Sequence, residues 1–485
     1  MSSPSSPIDR LHQDDILMIG LDFGTTTSSA MVAKAKIGLN CTTGRMGFSN
    51  PDILYRAEPV FTPYSNGRIQ EQAIDKLLGN WLDECGFRPE QLFSGGVMIT
   101  GMAARNDNAE IIASHVRSKF GDIIVATADD PSLESWLAFM GGTSVLSRFH
   151  KNDSIINLDI GGGTTNPALG INGQVISTGC SFIGARHFKF KPGTYELIEV
   201  SSFGQEIVKA LNLPIKAGDT LSQPTLDQIL DFYIAGLVAT VTGDYRLFNT
   251  PVGQMHEQVR FDLKGHSNPV ITYSGGVGEL LYKHAIGEPW PSTTFFGDLG
   301  IDLSKRIAAH PLLSQNLRTH TPDNRGRATV YGLTLHSTEI SGTTLYLTNA
   351  DDLPLQDLPI VSRLPILACA QQMMDALELA RKSSRGACLQ ILPLEEAKAP
   401  ELSDIKAFGD RMASVLEDTA FPASLPLALL VPNDYGKAIG NYVSRWRNLP
   451  LNLTVIDEVP DRTASFVNVG APQHHIIPVS FYGMQ

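Results

Sequence analysis

Several absences narrow what this 485-residue chain can be. No uninterrupted apolar run reaches the roughly 18 residues that a membrane-spanning helix needs, and the opening MSSPSSPIDRLHQDD has no apolar signal core. A flexible tail over 1–15 on a soluble, cytoplasmic protein without a membrane role is therefore expected. Basic residues are outnumbered, 38 Lys and Arg against 50 Asp and Glu, for a net charge of -12. A surface of that sign does not grip nucleic acid or anionic lipid by bulk electrostatics. The five cysteines (Cys41, Cys85, Cys180, Cys369, Cys388) are odd in number, far apart and without C-x-x-C, which indicates neither a disulfide framework nor a thiolate zinc site. What is present, 42% hydrophobic and 18% charged residues with 43 Gly and 29 Pro spread along the chain, suits a many-stranded α/β protein. The length calls for two or more domains.

Another absence is local. The stretch LDFGTTTSSA (21–30) has the glycine and hydroxyl residues of a phosphate cradle but no lysine, so it is not the G-x-x-x-x-G-K-[ST] loop. A second stretch, INLDIGGGTTN (156–166), repeats its grammar: apolar strand, Asp, Gly, threonines. Asp22 and Asp159, each ending a buried strand, can hold Mg²⁺ beside phosphate oxygens. Gly24 and Gly161, Gly162 and Gly163 leave room for a phosphate against bare backbone amides, and Thr25, Thr26, Thr27, Thr164 and Thr165 add hydroxyl donors.

The patterns around these motifs are those of alternating strands and helices. ILMIGLDFG (16–24) and TTTSSAMVAKA read as a hairpin, and GVMITG, NDNAEIIASHVRSKF and DIIVATA as a β-α-β passage. DDPSLESWLAFMGG reads as a helix opened by acidic residues and Pro131 and closed by glycines. The second motif again opens a hairpin. Residues 181–268 give a polar loop region and one long helical pattern, and PVITYSGGVGELLYKHAIG a strand, a glycine turn and a helix. The tail adds helices near 366–382 and at YGKAIGNYVSRWRN, and strands at LPLALLVP, LNLTVI and SFVNVG. Adjacent His474 and His475 would point to opposite faces of a strand, which disfavours a metal site there. RHFKFKPG (186–193) reads as a strand with one solvated basic face.

The order of these motifs resembles the superfamily of actin, sugar kinases and heat-shock chaperone ATPases. That resemblance implies duplicated mixed-sheet, ribonuclease H-like α/β domains flanking a cleft for ATP and Mg²⁺. The units are expected at 16–153 and 154–345, the second with an inserted helical region and the adenosine motif, followed by a C-terminal α/β segment at 346–485. It further implies that the two hairpins bracket the phosphates, with Asp22 and Asp159 on the metal. Ser274, Gly275, Gly276 and Gly278 would lie along the adenosine, and Asp130 or Glu134 would position the attacking water, the alternative for either being an ordinary helix cap. Some chaperone-like members carry Thr-x-Asp where this chain has Asn166, so slow turnover is expected, as suits a switch.

A narrower set of blocks, GLDFGTTTSSAMVA, VMITGMAARNDNA, IVATADDPSLES, LDIGGGTTNPAL, ITYSGGVGEL, FFGDLGIDLSKRI and HSTEISGTTLY, resembles the reactivating factors of ethanolamine ammonia-lyase. Membership would imply a chaperone-like ATPase that frees this adenosylcobalamin-dependent partner of damaged cobalamin. The cobalamin-grasping D-x-H-x-x-G is absent; a reactivator need only open its partner. A small-molecule kinase and an actin-like assembly ATPase are the alternatives. A homodimer and association with a bacterial microcompartment stay open.

Overall fold

In the computed structural model, residues 15–39, 46–65, 68–100, 107–121, 124–128, 130–342, 344–393, 400–472 and 476–484 are described. Residues 1–14 of the tail expected over 1–15 and the pair His474 and His475 lie outside them, and Asp15 already begins the first strand.

The first sheet is built on β1 (Asp15–Phe23), whose residues 16–21 are all buried and apolar apart from Gly20. It pairs antiparallel with β2 (Thr27–Leu39), which pairs antiparallel with β3 (Met46–Arg56) and carries the short β4 (Val60–Phe61) at its start. A ribbon of β5 (Tyr64–Ser65) and β6 (Arg68–Ile69) follows. On the other side of β1 lie β7 (Leu92–Ile99) and β8 (Ile124–Ala128), both parallel to it, so the order is β3-β2-β1-β7-β8.

The second sheet repeats this plan. β9 (Ile155–Ile160) pairs antiparallel with β10 (Thr165–Ile171), whose far side takes β11 (Gln174–Thr178) and β12 (Cys180–Ser181). β13 (Phe188–Phe190) and β14 (Leu197–Val200) form a separate ribbon, β15 (Glu257–Val259) extends β12, and β16 (Val270–Ser274) lies parallel to β9. In each sheet an antiparallel meander leads away from one side of the first strand while a parallel partner, reached by a long crossover, occupies the other. This is a duplicated ribonuclease H-like α/β unit, the architecture of the actin-like ATPases. Each has its own core, around Leu21, Phe23 and Trp81 in the first and Leu158, Phe188 and Tyr233 in the second. In β13, Phe188 and Phe190 point inward while Lys189 faces out to pair with Glu199 at 2.8 Å, the solvated basic face expected of that segment.

The third sheet has the order β17-β24-β23-β19-β20-β21-β22-β18. Its strands are β17 (Thr338–Ile340), β18 (Tyr346–Leu347), β19 (Leu355–Pro365), β20 (Ala387–Leu392), β21 (Leu427–Leu430), β22 (Leu453–Ile456), β23 (Ala464–Val469) and β24 (Pro478–Met484). β19 to β22 run parallel, with helices Ala370–Ala380, Leu402–Asp418 and Gly436–Val443 packed on one face.

Two helical segments join the halves. Pro131–Ala138 does not stop at its glycines as its sequence suggests: Phe139–Thr143 forms a π-helical turn and the helix resumes over Ser144–Phe149. The glycines are there for packing. A Cβ at Gly141 would collide with the carbonyl of Ala328, and one at Gly332 with the carbonyl of Leu137, so this crossing helix meets the return helix Ala328–His336 backbone to backbone. The return helix lies against the first sheet at Gly20 and Gly96, and β17 joins the third. The return helix and β17 thus lead the chain from the second sheet past the first to the third.

Candidate functional site

Asp22 and Asp159 occupy the same place in the two sheets. Asp22 pairs across β2 with Ser29 and across β7 with Met98, while Asp159 pairs across β10 with Asn166 and across β16 with Ser274. Each is followed, one residue on, by a four-residue turn closed by the same hydrogen bond. Gly24 N–H donates to the Thr27 carbonyl at 3.0 Å, and Gly161 N–H to the Thr164 carbonyl at 2.9 Å. The repeated grammar of the sequence is therefore a repeated hairpin, not a chance of composition.

The two turns meet. A Cβ at Gly162 would run into Thr26 Oγ1, and one at Gly163 would come within 3.2 Å of Thr25 Oγ1. The glycines permit that approach, and the Thr26 hydroxyl is buried with no hydrogen-bond partner among the described residues. Such an unspent buried donor costs free energy and is what a phosphate oxygen would satisfy.

Three carboxylates converge here. Burial and the neighbouring Asp159 push the Asp22 carboxyl up to about 7. Burial pushes Asp159 up to about 6 against the opposing hydrogen bonds of Ser274 and Thr329. Glu134 rises well above the usual carboxylate range through burial and through both aspartates, while hydrogen bonds from Asn166 and Thr100 act the other way. Crowded carboxylates in low dielectric repel one another, and a hard cation with oxygen ligands is the group that reconciles them.

Asp130 is placed differently. It is the N-cap of the crossing helix, with Oδ1 accepting from Leu133 N–H at 3.0 Å and Oδ2 accepting from Gly483 N–H of β24 at 2.7 Å. Its buried carboxylate holds the helix start and fastens the third sheet to it. Asp130→Ala should lower stability by about 1–2 kcal/mol through the lost cap and the stranded Gly483 N–H, with nucleotide turnover intact. Thermal melting beside a turnover assay checks this; lost turnover at an unchanged melting temperature would move Asp130 among the reacting groups.

Ser274 stands at the N-cap of the helix Gly275–Ala285 but makes no capping bond; its hydroxyl donates instead to Asp159 Oδ1 at 2.6 Å. The first-turn amides of that helix are therefore left without a side-chain cap, beside Asp159. Of its glycines, Gly275 has φ 74 and backs onto the Ile160 carbonyl, Gly278 packs on Tyr273, and Gly276 has nothing within 4 Å of a would-be Cβ. Further along the helix, a cavity of about 440 Å³ is lined by Arg56, Glu279, Lys283, Arg325 and Arg327 among others.

Sequence reasoning missed the residues that orient the carboxylates: Thr100 after β7, Thr329 on the return helix, and a buried chain from Thr143 in the π turn. Thr143 Oγ1 donates to Asn157 Oδ1 at 3.2 Å, Asn157 Nδ2 to Ser274 Oγ at 2.8 Å, and Ser274 to Asp159. Asn166, noted only as a departure from Thr-x-Asp, hydrogen-bonds Glu134. None forms a motif; they meet only when the two units close on each other.

The family model described as ethanolamine utilisation protein EutA matches residues 14–482. The ethanolamine ammonia-lyase reactivase EutA of Escherichia coli (strain K12) is 29% identical over 475 residues, covering 96% of this chain and 97% of that protein. The reactivase of the same name from Salmonella typhimurium (strain LT2) is 28% identical over the same length and shares. Among solved structures, a Ppx/GppA family member from Aquifex aeolicus is similar at 15% identity and a TM-score of 0.32, over 66% of this chain and 88% of its own, too distant to speak to function.

Proposed function

The chain belongs to the ethanolamine utilisation protein EutA family, and from that premise we propose that it is an ATP-dependent, chaperone-like reactivating factor acting on ethanolamine ammonia-lyase, promoting exchange of damaged cobalamin for intact adenosylcobalamin. The partner is the one named for its two relatives. The observation that carries the nucleotide half of the reading is the pair of matched Asp-Gly-Thr hairpins whose turns meet at the unspent Thr26 hydroxyl.

In this reading Asp22 and Asp159 hold Mg²⁺, whose charge, when bound, offsets that of the phosphates. Amides at Gly162 and Gly163 and the hydroxyls of Thr25, Thr26, Thr27 and Thr164 receive phosphate oxygens, while the Gly24 and Gly161 N–H groups close the two turns and the buried Thr165 hydroxyl, expected among these donors, donates instead to the Ile183 carbonyl at 2.7 Å. Glu134, steadied by Asn166 and Thr100, takes the proton of the attacking water on its carboxylate. Gly275, Gly276 and Gly278 run along the adenosine. ATP opens the partner only so far as it binds one conformation of the chain better than the other, and the helix crossing at Gly141 and Gly332 is the joint through which the halves turn. In this reading the protein works in the cytoplasm, as a homodimer and in association with a bacterial microcompartment.

The test is reactivation. Ethanolamine ammonia-lyase inactivated during turnover should regain activity with this protein, ATP, Mg²⁺ and fresh adenosylcobalamin, and not when ATP is withheld. Recovery without nucleotide, or stoichiometric phosphorylation of a small molecule instead, would overturn the proposal.

Gly276 separates ligand from packing. Its Cβ direction is open, so Gly276→Val should leave the melting temperature of the nucleotide-free protein near wild type while the side chain obstructs a ligand that approaches bare backbone. An affinity loss of about 10-fold or more, equivalent to about 1.4 kcal/mol, is expected by calorimetry. Unchanged affinity with a lowered melting temperature would assign the glycine to packing.

A further inference from the structure

One group of imidazole and carboxylate side chains brings its ligand atoms together away from the nucleotide cleft. His150 ends the crossing helix, its N–H donating to the Leu146 carbonyl at 3.1 Å, and a tight turn follows in which Asp153 N–H donates to the His150 carbonyl at 3.2 Å. Asn152 takes the left-handed conformation of that turn, φ 74, which Asn tolerates better than most residues. The turn sets His150 Nδ1 3.8 Å from Asp153 Oδ2. His320 arrives from a distant part of the chain, at the end of the turns that follow the helix Gly300–Ala309, and its ring lies 4.5 Å from that of His150, centroid to centroid. One ligand atom from each of the three side chains lies within 4.8 Å of the other two.

We propose that His150, Asp153 and His320 bind a borderline divalent cation of the Zn²⁺ type, with water completing the shell. Two imidazole nitrogens and a carboxylate oxygen are a donor set for that class, with bonds of about 2.0–2.2 Å. Ligand atoms around such an ion stand roughly 3.3–3.6 Å apart in tetrahedral geometry, so modest rotations of these partly exposed side chains close the present separation. His320 Nδ1 is engaged with Thr319 Oγ1 at 2.9 Å, which leaves Nε2 for the ion. A partner on the far nitrogen is what fixes the tautomer of a metal-bound histidine. The site joins the segment by which the chain enters the second sheet, just before β9, to the one by which it leaves toward the return helix. A bound ion therefore clips the two ends of that unit beside its joint, independently of any nucleotide.

Calorimetric titration of the full chain with Zn²⁺, and the visible absorption of Co²⁺ as a reporter of tetrahedral geometry, test this. Wild type should bind one equivalent more than the variant carrying His150→Ala and His320→Ala, and Zn²⁺ should raise the melting temperature of wild type alone. The three ligands are partly or largely solvent-exposed, so the metal-free variant should melt near wild type. Thr319→Val should keep the stoichiometry and weaken binding about 10-fold. Equal stoichiometry and affinity in wild type and double variant, or an equivalent lost instead with His474→Ala and His475→Ala, would overturn the assignment.

Discussion

Asp22→Asn and Asp159→Asn are each expected to lower ATP hydrolysis by about 100-fold or more, the scale on which single electrostatic contributors to a reacting site act, while leaving the fold intact. The reason lies in the crowding of carboxylates. Burial raises all three carboxyls, Asp159 adds to the rise of Asp22, and Asp159 and Asp22 add to that of Glu134, so without a cation the charged cluster opposes folding, and replacing one carboxylate by an amide of the same shape relieves that opposition. The nucleotide-free variants should therefore melt no lower than wild type. Mg²⁺ with nucleotide should raise the melting temperature of wild type and not of the variants, since only a ligand that favours the folded state shifts its stability. Activity lost with stability kept is the pattern of a reacting site that holds strain for function. Wild-type turnover in either variant with normal circular dichroism would remove the aspartates from the metal.

Much of this site was readable because its two halves are local. An Asp, a Gly and threonines at a strand end need only their own neighbours to form a hairpin, so Asp22 to Thr27 and Asp159 to Thr165 were visible in the chain. The long apolar strands β1 and β9 and the helix Gln223–Thr242 were legible for the same reason. The helix Leu402–Asp418 carries its signal too, with Ile405, Phe408, Met412 and Leu416 buried on one face, yet that period was overlooked. Other features depend on partners far along the chain. The glycines after Ala138 read as a helix stop because an isolated helix has no use for them; Ala328, which makes use of Gly141, follows almost two hundred residues later. Asp130 and Glu134 were alike as acidic residues at a helix start. What separates them is Gly483 N–H, from the last strand, on one, and Asp22 and Asp159, from two different sheets, around the other.

The helix crossing should tolerate substitution poorly. At Gly141 and Gly332 an added Cβ meets backbone carbonyls, not a flexible side chain, so no rotamer change can absorb it and the helices themselves must part. Overpacking of this kind costs about 1–3 kcal/mol and more where relaxation is blocked; Gly141→Ala and Gly332→Ala should each fall at the upper end of that range. The two act on one contact, so the double variant should lose less than the sum of the singles. Gly38→Ala, in β2 with nothing within 4 Å of the new atom, should stay within about 0.5 kcal/mol of wild type and serves as the control. Parting the helices also displaces Thr143 and Thr329, which reach Asp159 through Asn157 and Ser274 in the one case and directly in the other. Turnover of ATP should thus fall in both variants even below their melting temperatures, although neither glycine touches the hairpins. Denaturant melts beside turnover measured at a temperature where the variants remain folded would check this. A variant destabilised as expected but hydrolysing ATP at the wild-type rate would show that the crossing holds the halves together without setting their angle.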